Sequence, residues 1–347
     1  MKVLITGGCG FIGCNTAARL KSLGWQVTLF DNLSRPGVKH NLAWLCGRGE
    51  FEFVNADVRD WRLVTEVIRN GQFHVLIHLA AQVAVTKSVE DPRQDFEINA
   101  LGTLNLLEAV RLHSPRTVVL NASTNKVYGK LGNPAVRELE TRYEFIDLRH
   151  GINEDQFLDF HSPYGCSKGA ADQYVRDYAR IYGLRTVNLR QSCVYGYHQF
   201  GVEDQGWLAW LAIAQLLGRP VTIYGSGKQV RDVLFIDDLV DCYLAAVERI
   251  DGISGMSFNI GGGPENTLSL LELLNLLEQL SGRPVAHTFG EWRPGDQLVY
   301  ISDVRRARSL LHWQPQVDVG TGVRELYKWL TPNLALVAAL TKVLTNQ

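Results

Sequence analysis

The opening stretch constrains this chain most: KVLIT runs straight into Thr6-Gly7-Gly8-Cys9-Gly10-Phe11-Ile12-Gly13, which opens an amphipathic segment ending at Gly24. Gly7 permits a tight turn, Gly10 lets backbone approach a pyrophosphate, and Gly13 lets a helix pack closely on the strand before it. The N–H groups and dipole at the start of that helix attract negative charge. A strand before the loop, a helix after it and Asp31 at the end of the next strand set it apart from a plain glycine turn. The Asp31 carboxylate suits the two ribose hydroxyls of NAD and repels the extra phosphate of NADP. Asp31 therefore makes NAD the preferred cofactor, against Arg35, four residues on, which is placed to receive such a phosphate.

The rhythm set by this unit continues. KVLIT, the helix FIGCNTAARLKSLG, WQVTLFD, FEFVNAD, the helix WRLVTEVIRN, HVLIHLA, the helix DFEINALGTLNLLEAVRLH, TVVLNAS, the helix YGCSKGAADQYVRDYARIYG and RTVNLR follow in order. Short apolar strands separated by amphipathic helices imply a parallel sheet covered on both faces, a doubly wound α/β fold. Asp57 and Val58 close the third strand, where either an adenine edge or an ordinary turn would sit. Beyond Arg190 the pattern loosens into loops rich in Gly, Trp and Pro, with helices expected near Trp207–Leu217, Asp237–Arg249 and Leu268–Ser281. This later half reads as a lid for a substrate.

A chain of 347 residues, 46% of them hydrophobic, can bury a full core in one large domain or two smaller ones. With 35 basic against 36 acidic residues the formal charge is −1, which offers no field for nucleic acid or an anionic membrane. Any anionic ligand must therefore be met by local groups. Cys9, Cys14, Cys46, Cys166, Cys193 and Cys242 lie far apart without metal-ligand spacing, and the chain starts on a strand-like run, a pattern that suits a reducing cytoplasm. His74, His78 and His161 read as strand-end or loop residues and no metal site is expected. The late apolar run LALVAALTKVL is interrupted by Lys342 and is too short to span a bilayer.

A second constellation carries chemistry. Ser123-Thr124 ends the fifth strand, and Tyr164 and Lys168 open the next helix, four residues apart and so on one face. An ammonium near the phenol would favour the phenolate and lower the tyrosine from its ordinary value of about 10, making Tyr164 a base. Tyr224 and Lys228 repeat the spacing inside the loop IYGSGKQ, but only Tyr164 heads a helix following a strand that ends in Ser-Thr. Hydroxyl, phenol and ammonium then meet at the carboxyl edge of the sheet, where such folds bind ligands.

TGGCGFIG, Asp31, HLAA at 78–81, Asn99, STNKVYG at 123–129 and YGCSK at 164–168 together resemble the extended short-chain dehydrogenase/reductase family of NAD-dependent nucleotide-sugar epimerases, over nearly the whole chain. The runs DNLSRPGVKHNLAWL, DFEINALGTLNLLEAVR, STNKVYG and DFHSPYGCSKGAADQYVRDYARIYG most resemble members that invert C2 of a CDP-hexose. The resemblance implies a Rossmann unit over 1–190 and 232–262 and a smaller nucleotide-sugar lobe over 191–231 and 263–347. For NAD it implies Gly7, Gly10, Phe11, Ile12 and Gly13 at the phosphates, and Asp31, Asn32, Ser34 and Arg35 at the ribose end. Asp57, Val58, Leu79, Ala80, Ala81, Asn99, Tyr164 and Lys168 complete that set. Thr124 would hydrogen-bond the reacting oxygen, Tyr164 move its proton, and Lys168 hold the ribose and the tyrosine charge.

For the substrate the resemblance implies Ser88, Thr124, Asn125, Gln205 and Trp207, with Gly206 beside them, Tyr224 against the base, and Arg231 in VRDVLFIDD and Arg293 in WRPGD on the diphosphate. In SCVYGYHQF, residues 192–200, Tyr197-His198 replace the Gly-Arg of related chains, a change expected beside the substrate pocket. The expected reaction is CDP-paratose to CDP-tyvelose, or CDP-glucose to CDP-mannose, through a transient keto-sugar, in a homodimer or homotetramer. A UDP-hexose 4-epimerase shares the loop and the Thr-Tyr-Lys set, and an inactive NAD-binding sensor protein shares the fold. A 4,6-dehydratase would need an Asp-Glu pair after the threonine, where this chain has Asn125 and Lys126.

Overall fold

A computed structural model describes residues 1–132, 134–293 and 296–345. Pro294 and Gly295 of the WRPGD run lie outside the described residues. The strands in chain order are β1 Lys2–Thr6, β2 Gln26–Asp31, β3 Glu52–Asn55, β4 Val75–His78, β5 Val118–Thr124, β6 Val136–Glu138, β7 Tyr143–Phe145, β8 Thr186–Gln191, β9 Cys193–Tyr195, β10 Val221–Tyr224, β11 Val230–Phe235, β12 Ser257–Ile260, β13 Thr267–Ser269, β14 His287–Gly290 and β15 Val299–Tyr300. Seven of them form one parallel sheet in the order β12-β8-β5-β4-β1-β2-β3.

The apolar runs form this sheet because both faces are covered. In β1, Val3 and Ile5 enter one core cluster and Leu4 the other, and β4 divides Val75 and Ile77 from Leu76 in the same way. A strand buried on both sides needs no polar alternation, which is why these segments read as continuous hydrophobic stretches. The strand order reverses direction between β1 and β4, opening a crevice at the carboxyl edge where the glycine loop sits.

The expected strands and helices of the first half are present with ends shifted by a residue or two, and three features differ. Val38–Cys46 is a helix inside DNLSRPGVKHNLAWL, launched from Gly37 at φ 86°, a conformation suited to glycine. The expected single helix from Asp95 is interrupted: Pro92–Phe96 is α-helical, Glu97–Leu101 makes a π turn, and the α-helix resumes over Gly102–His113. Ser257–Ile260, four fully buried residues, adds β12 to the main sheet beside β8. The later half is therefore more than a lid.

The remaining strands build a smaller region over the crevice. β11 is its spine, pairing with β9, β13 and β15, while β10 pairs with β14 and β6 with β7. A buried ion pair fixes the floor: Arg190 of β8 grips Asp172 of the helix Ser162–Tyr182 through two bonds of 2.8 and 3.0 Å. Ser123 donates to the same carboxylate at 2.7 Å, and Tyr128 accepts from Arg190 and donates to Asn259 of β12. Among the described residues, no helix is long and apolar enough to cross a membrane and no His/Cys/Asp/Glu group is arranged to hold a metal ion.

Candidate active site

One cavity of about 1440 Å³ runs along the carboxyl edge of the main sheet and under the smaller region. It exceeds the usual 300–1,000 Å³ of a single small-molecule site, so it has room for two ligands side by side. At one end lies the glycine loop. A methyl group on Gly13 would stand 2.2 Å from the Gly7 carbonyl oxygen, and one on Gly7 would stand 2.8 Å from Ala80 N. No side chain caps the helix Phe11–Ser22, which starts at Gly10 and faces the cavity with its first turn. Those orphan N–H groups suit a pyrophosphate.

Asp31 stands beside the loop, held by Cys9 N at 3.0 Å and Leu33 N at 2.8 Å. Asn32, Ser34, Arg35, Asp57, Val58, Leu79, Ala80 and Ala81 line the same end. Arg59 and Asn32 bond the Asp57 carboxylate and hold it down near about 2. The 79–81 strand end is fixed from below. The Thr103 hydroxyl donates to the Asn99 carbonyl, so it accepts from His78 Nε2 at 3.0 Å; His78 Nδ1 then accepts from the Thr6 hydroxyl at 2.7 Å. Thr6 Oγ1 in turn accepts from Leu79 N and Ala80 N. Burial and the nearby Lys168 charge push His78 down to about 3, which keeps this imidazole neutral.

In the middle, Thr124, Tyr164 and Lys168 come together. Thr124 ends β5, and Tyr164 and Lys168 are one turn apart on the buried face of the helix Ser162–Tyr182, whose first turn carries Pro163. Thr124 hydrogen-bonds the Tyr164 phenol. Lys168 Nζ donates to the Ala122 carbonyl at 2.6 Å. Burial pushes the phenol up to about 12, opposed by the Thr124 bond and by Arg35 and reinforced by Asp95. Burial also brings the Lys168 ammonium down to about 8. This corrects the expectation of a phenol lowered by its lysine neighbour: the lysine is turned to a backbone oxygen, and desolvation dominates.

The far end is polar. Arg231 pairs with Asp296 and donates to the Val230 carbonyl at 2.8 Å. Arg293 lies over the Tyr224 ring at 4.2 Å and pairs with Asp204 at 3.3 Å and Glu203 at 3.6 Å. Tyr224 donates to Glu203, and Gln205 accepts from Arg35 across the mouth of the cavity. Asn125, Gln205, Gly206 and Trp207 also line it.

Two expected site residues, Ser88 and Asn99, and the Tyr197-His198 pair expected beside the pocket fall elsewhere. Ser88 is fully buried and donates to the Val85 carbonyl at 2.6 Å, away from the cavity wall. Asn99 lies behind the wall, its amide bonded to both backbone groups of Gln82 and to Ser167, so it braces the 80–82 loop instead of facing a ligand. The π turn at Glu97–Leu101 carries it there, a common use of such turns near functional sites. Tyr197 and His198 are packing residues: His198 is buried between Trp44 and Trp329 with ring centroids 3.9 and 5.0 Å away, and Tyr197 meets the edge of Phe235. Neither side chain lines the cavity. Conversely, Lys126, Gln191, Cys193 and Asp296 line the cavity without having been singled out as binding residues. Lys126 alone had a sequence signal, two residues beyond Thr124 in STNKVYG.

A sequence model of the NAD dependent epimerase/dehydratase family matches residues 3–261. The chain is 48% identical over 334 residues to CDP-paratose 2-epimerase of Salmonella typhi, covering 95% of this chain and 99% of that one. Its structure resembles UDP-glucose 4-epimerase of Thermotoga maritima with UDP-glucose, at TM-score 0.83, 29% identity, 96% of this chain and 100% of the other. It also resembles UDP-glucuronic acid 4-epimerase of Bacillus cereus in complex with UDP-glucuronic acid and NAD, at TM-score 0.82, 27% identity, 96% and 99% coverage.

Proposed function

The chain belongs to the NAD-dependent epimerase/dehydratase family, and on that premise we propose that it inverts C2 of a CDP-hexose, CDP-paratose to CDP-tyvelose or CDP-glucose to CDP-mannose, by transient oxidation to a keto-sugar and re-reduction. The observation that carries this reading is the 48% identity, nearly end to end, to a CDP-paratose 2-epimerase. The cavity supports it, because a glycine-walled anion end and an arginine-bearing end flank one Thr-Tyr-Lys cluster. Residues 1–190 and 232–262 are read as the NAD-binding unit, and 191–231 with 263–347 as the nucleotide-sugar lobe.

The loop fits NAD: a Cβ at Gly7 or Gly13 would fill the cradle, and Asp31 stands at the second strand end with its outer lone pairs free for ribose hydroxyls. Bound NAD supplies the hydride acceptor and donor, together with a positive ring that favours the phenolate. Within this reading Tyr164 Oη takes the proton of the sugar hydroxyl and returns it after the sugar has turned over. Thr124 Oγ1 holds that same oxygen. Lys168, beneath Tyr164, gives up its bond to the Ala122 carbonyl for a ribose oxygen and stabilises the phenolate. Arg231 and Arg293 exchange Asp296, Asp204 and Glu203 for the diphosphate, for which planar guanidinium donors are well shaped. With Asn125 and Lys126 after Thr124, no carboxylic acid stands where a dehydratase removes its C5 proton.

Six unpaired cysteines suit a reducing cytoplasm. Phe96, Leu101 and Leu112, with Tyr174, Ile181 and Tyr182 on the neighbouring helix, leave apolar side chains exposed, which supports a homodimer or homotetramer built on these two helices. Turnover decides the substrate: CDP-glucose and UDP-glucose are incubated separately and the products resolved by anion-exchange chromatography. CDP-mannose from the first and no UDP-galactose from the second is the expected pair. UDP-galactose alone would establish a C4 epimerase in its place.

A further inference from the structure

The cavity wall near Thr124 and Arg231 carries the cation of Lys126, which no group among the described residues pairs. Lys126 follows Asn125 in the short 3₁₀ turn Asn125–Tyr128, with its backbone N–H tied to Thr124 Oγ1 at 3.2 Å. Its side chain lines the cavity, and among the described residues its ammonium has no hydrogen-bond or ion-pair partner. The charged and titratable groups that face it are Arg231 of β11, Asp296 ahead of β15 and Cys193 of β9. Asp296 is already engaged by Arg231. Lys126 is half-buried on the cavity wall, where water can solvate its ammonium until a ligand displaces that water. A cation desolvated in this way needs an anionic partner, which a ligand oxygen would supply.

Its place along the wall says which one. On the reading above Thr124 and Tyr164 serve the reacting hydroxyl and Arg231 the diphosphate; Lys126 is tied to Thr124 through its backbone N–H and feels the Arg231 charge. In a hexosyl diphosphate the carbon next to the phosphate-bearing anomeric carbon is C2, whereas C4 lies across the ring. Resting on the CDP-hexose reading above, we propose that Lys126 is a positioning residue that bonds the oxygens joining the hexose to its phosphate and thereby sets C2, not C4, against Thr124 and Tyr164. Burial and the Arg231 charge both disfavour its protonated form, and a phosphate oxygen would restore it.

The test compares the full-length protein with K126M and K126R, using CDP-glucose as substrate. Loss of a charge-assisted hydrogen bond predicts a fall in kcat/KM of about 10- to 100-fold in K126M, mostly through KM, with bound NAD and melting temperature unchanged. K126R should recover much of it. As pH rises the KM of the unaltered protein should climb when Lys126 loses its proton, while that of K126R stays flat because guanidinium does not titrate there. A K126M enzyme within twofold of the unaltered one overturns the proposal while leaving the CDP-hexose reading intact. So does a loss that is the same at every pH and not recovered by arginine, the mark of a structural role. If the unaltered protein turns over no CDP-hexose, the reading fails and this proposal with it.

Discussion

Tyr164, Thr124 and Lys168 were legible as a set because each is placed by local rules: two share a helix face and the third ends the strand before it. Their electrostatics were not, since burial depends on how distant segments fold over the helix, and it drives the phenol to about 12. Ser88 and Asn99 escaped for the same reason, being polar residues whose partners lie in the loops they brace. Replacing Tyr164 by Phe should lower kcat for CDP-glucose by roughly 10²- to 10⁴-fold, the range of a lost acid–base group, with KM and bound NAD little changed by steady-state and spectral measurement. His78 makes a separate prediction. Its folded value of about 3 lies below the ordinary 6.5, so only the unfolded chain takes up a proton as pH falls through that window. Stability is therefore full above pH 6.5 and drops by up to about 1.4 kcal/mol per pH unit below it. Urea melts at pH 7 and pH 5 should show a smaller acid loss in His78→Gln than in the unaltered chain. Equal losses would mean that His78 is protonated in the fold.

Among the elements, the parallel strands and their helices were readable from apolar runs and glycine punctuation alone. The helix Val38–Cys46 was not, because Pro36-Gly37 reads as a loop while the residues after it bury Val38, Asn41 and Leu45. β12 was missed because Ser257-Phe258-Asn259-Ile260 is only four residues long and runs straight into three glycines, too short a stretch for periodicity to decide. The π turn cannot be seen in sequence at all; it is set by packing, where Gly102 lies so close to Val58 that a Cβ would stand 2.6 Å from a methyl carbon. The Arg190–Asp172 pair, 2% and 0% exposed, ties the helix Ser162–Tyr182 to β8 and, through Tyr128, to β12. Removing one member leaves a buried charge, so Asp172→Ala should cost about 3–5 kcal/mol in denaturant unfolding. A cost below about 1 kcal/mol would show that the pair does not hold the floor of the site.

For the molecule as a whole, the rhythm of apolar runs divided a strand-and-helix half from a looser half, while the resemblance placed 232–262 with the first unit; β12 joins the main sheet after β9, β10 and β11, and β13, β14 and β15 follow it into the smaller region. The long cavity lies along the carboxyl edge of that sheet, under the smaller region. Its wall is built by side chains from separate segments, such as Lys126, Tyr224 and Asp296, whose meeting no local pattern announces. The exposed apolar helix faces carry their own consequence. Sedimentation should find at least a dimer at micromolar concentration, shifted toward monomer by Ile181→Asp, and a monomeric unaltered chain would reject that assembly. The central claim is an internal return of hydride to the opposite face of one carbon, and the most direct test follows that carbon. CDP-glucose incubated with the protein in deuterium oxide and followed by proton NMR should give CDP-mannose with its C2 proton retained. Deuterium at C2, inversion at C4 or no turnover of any CDP-hexose would contradict the account.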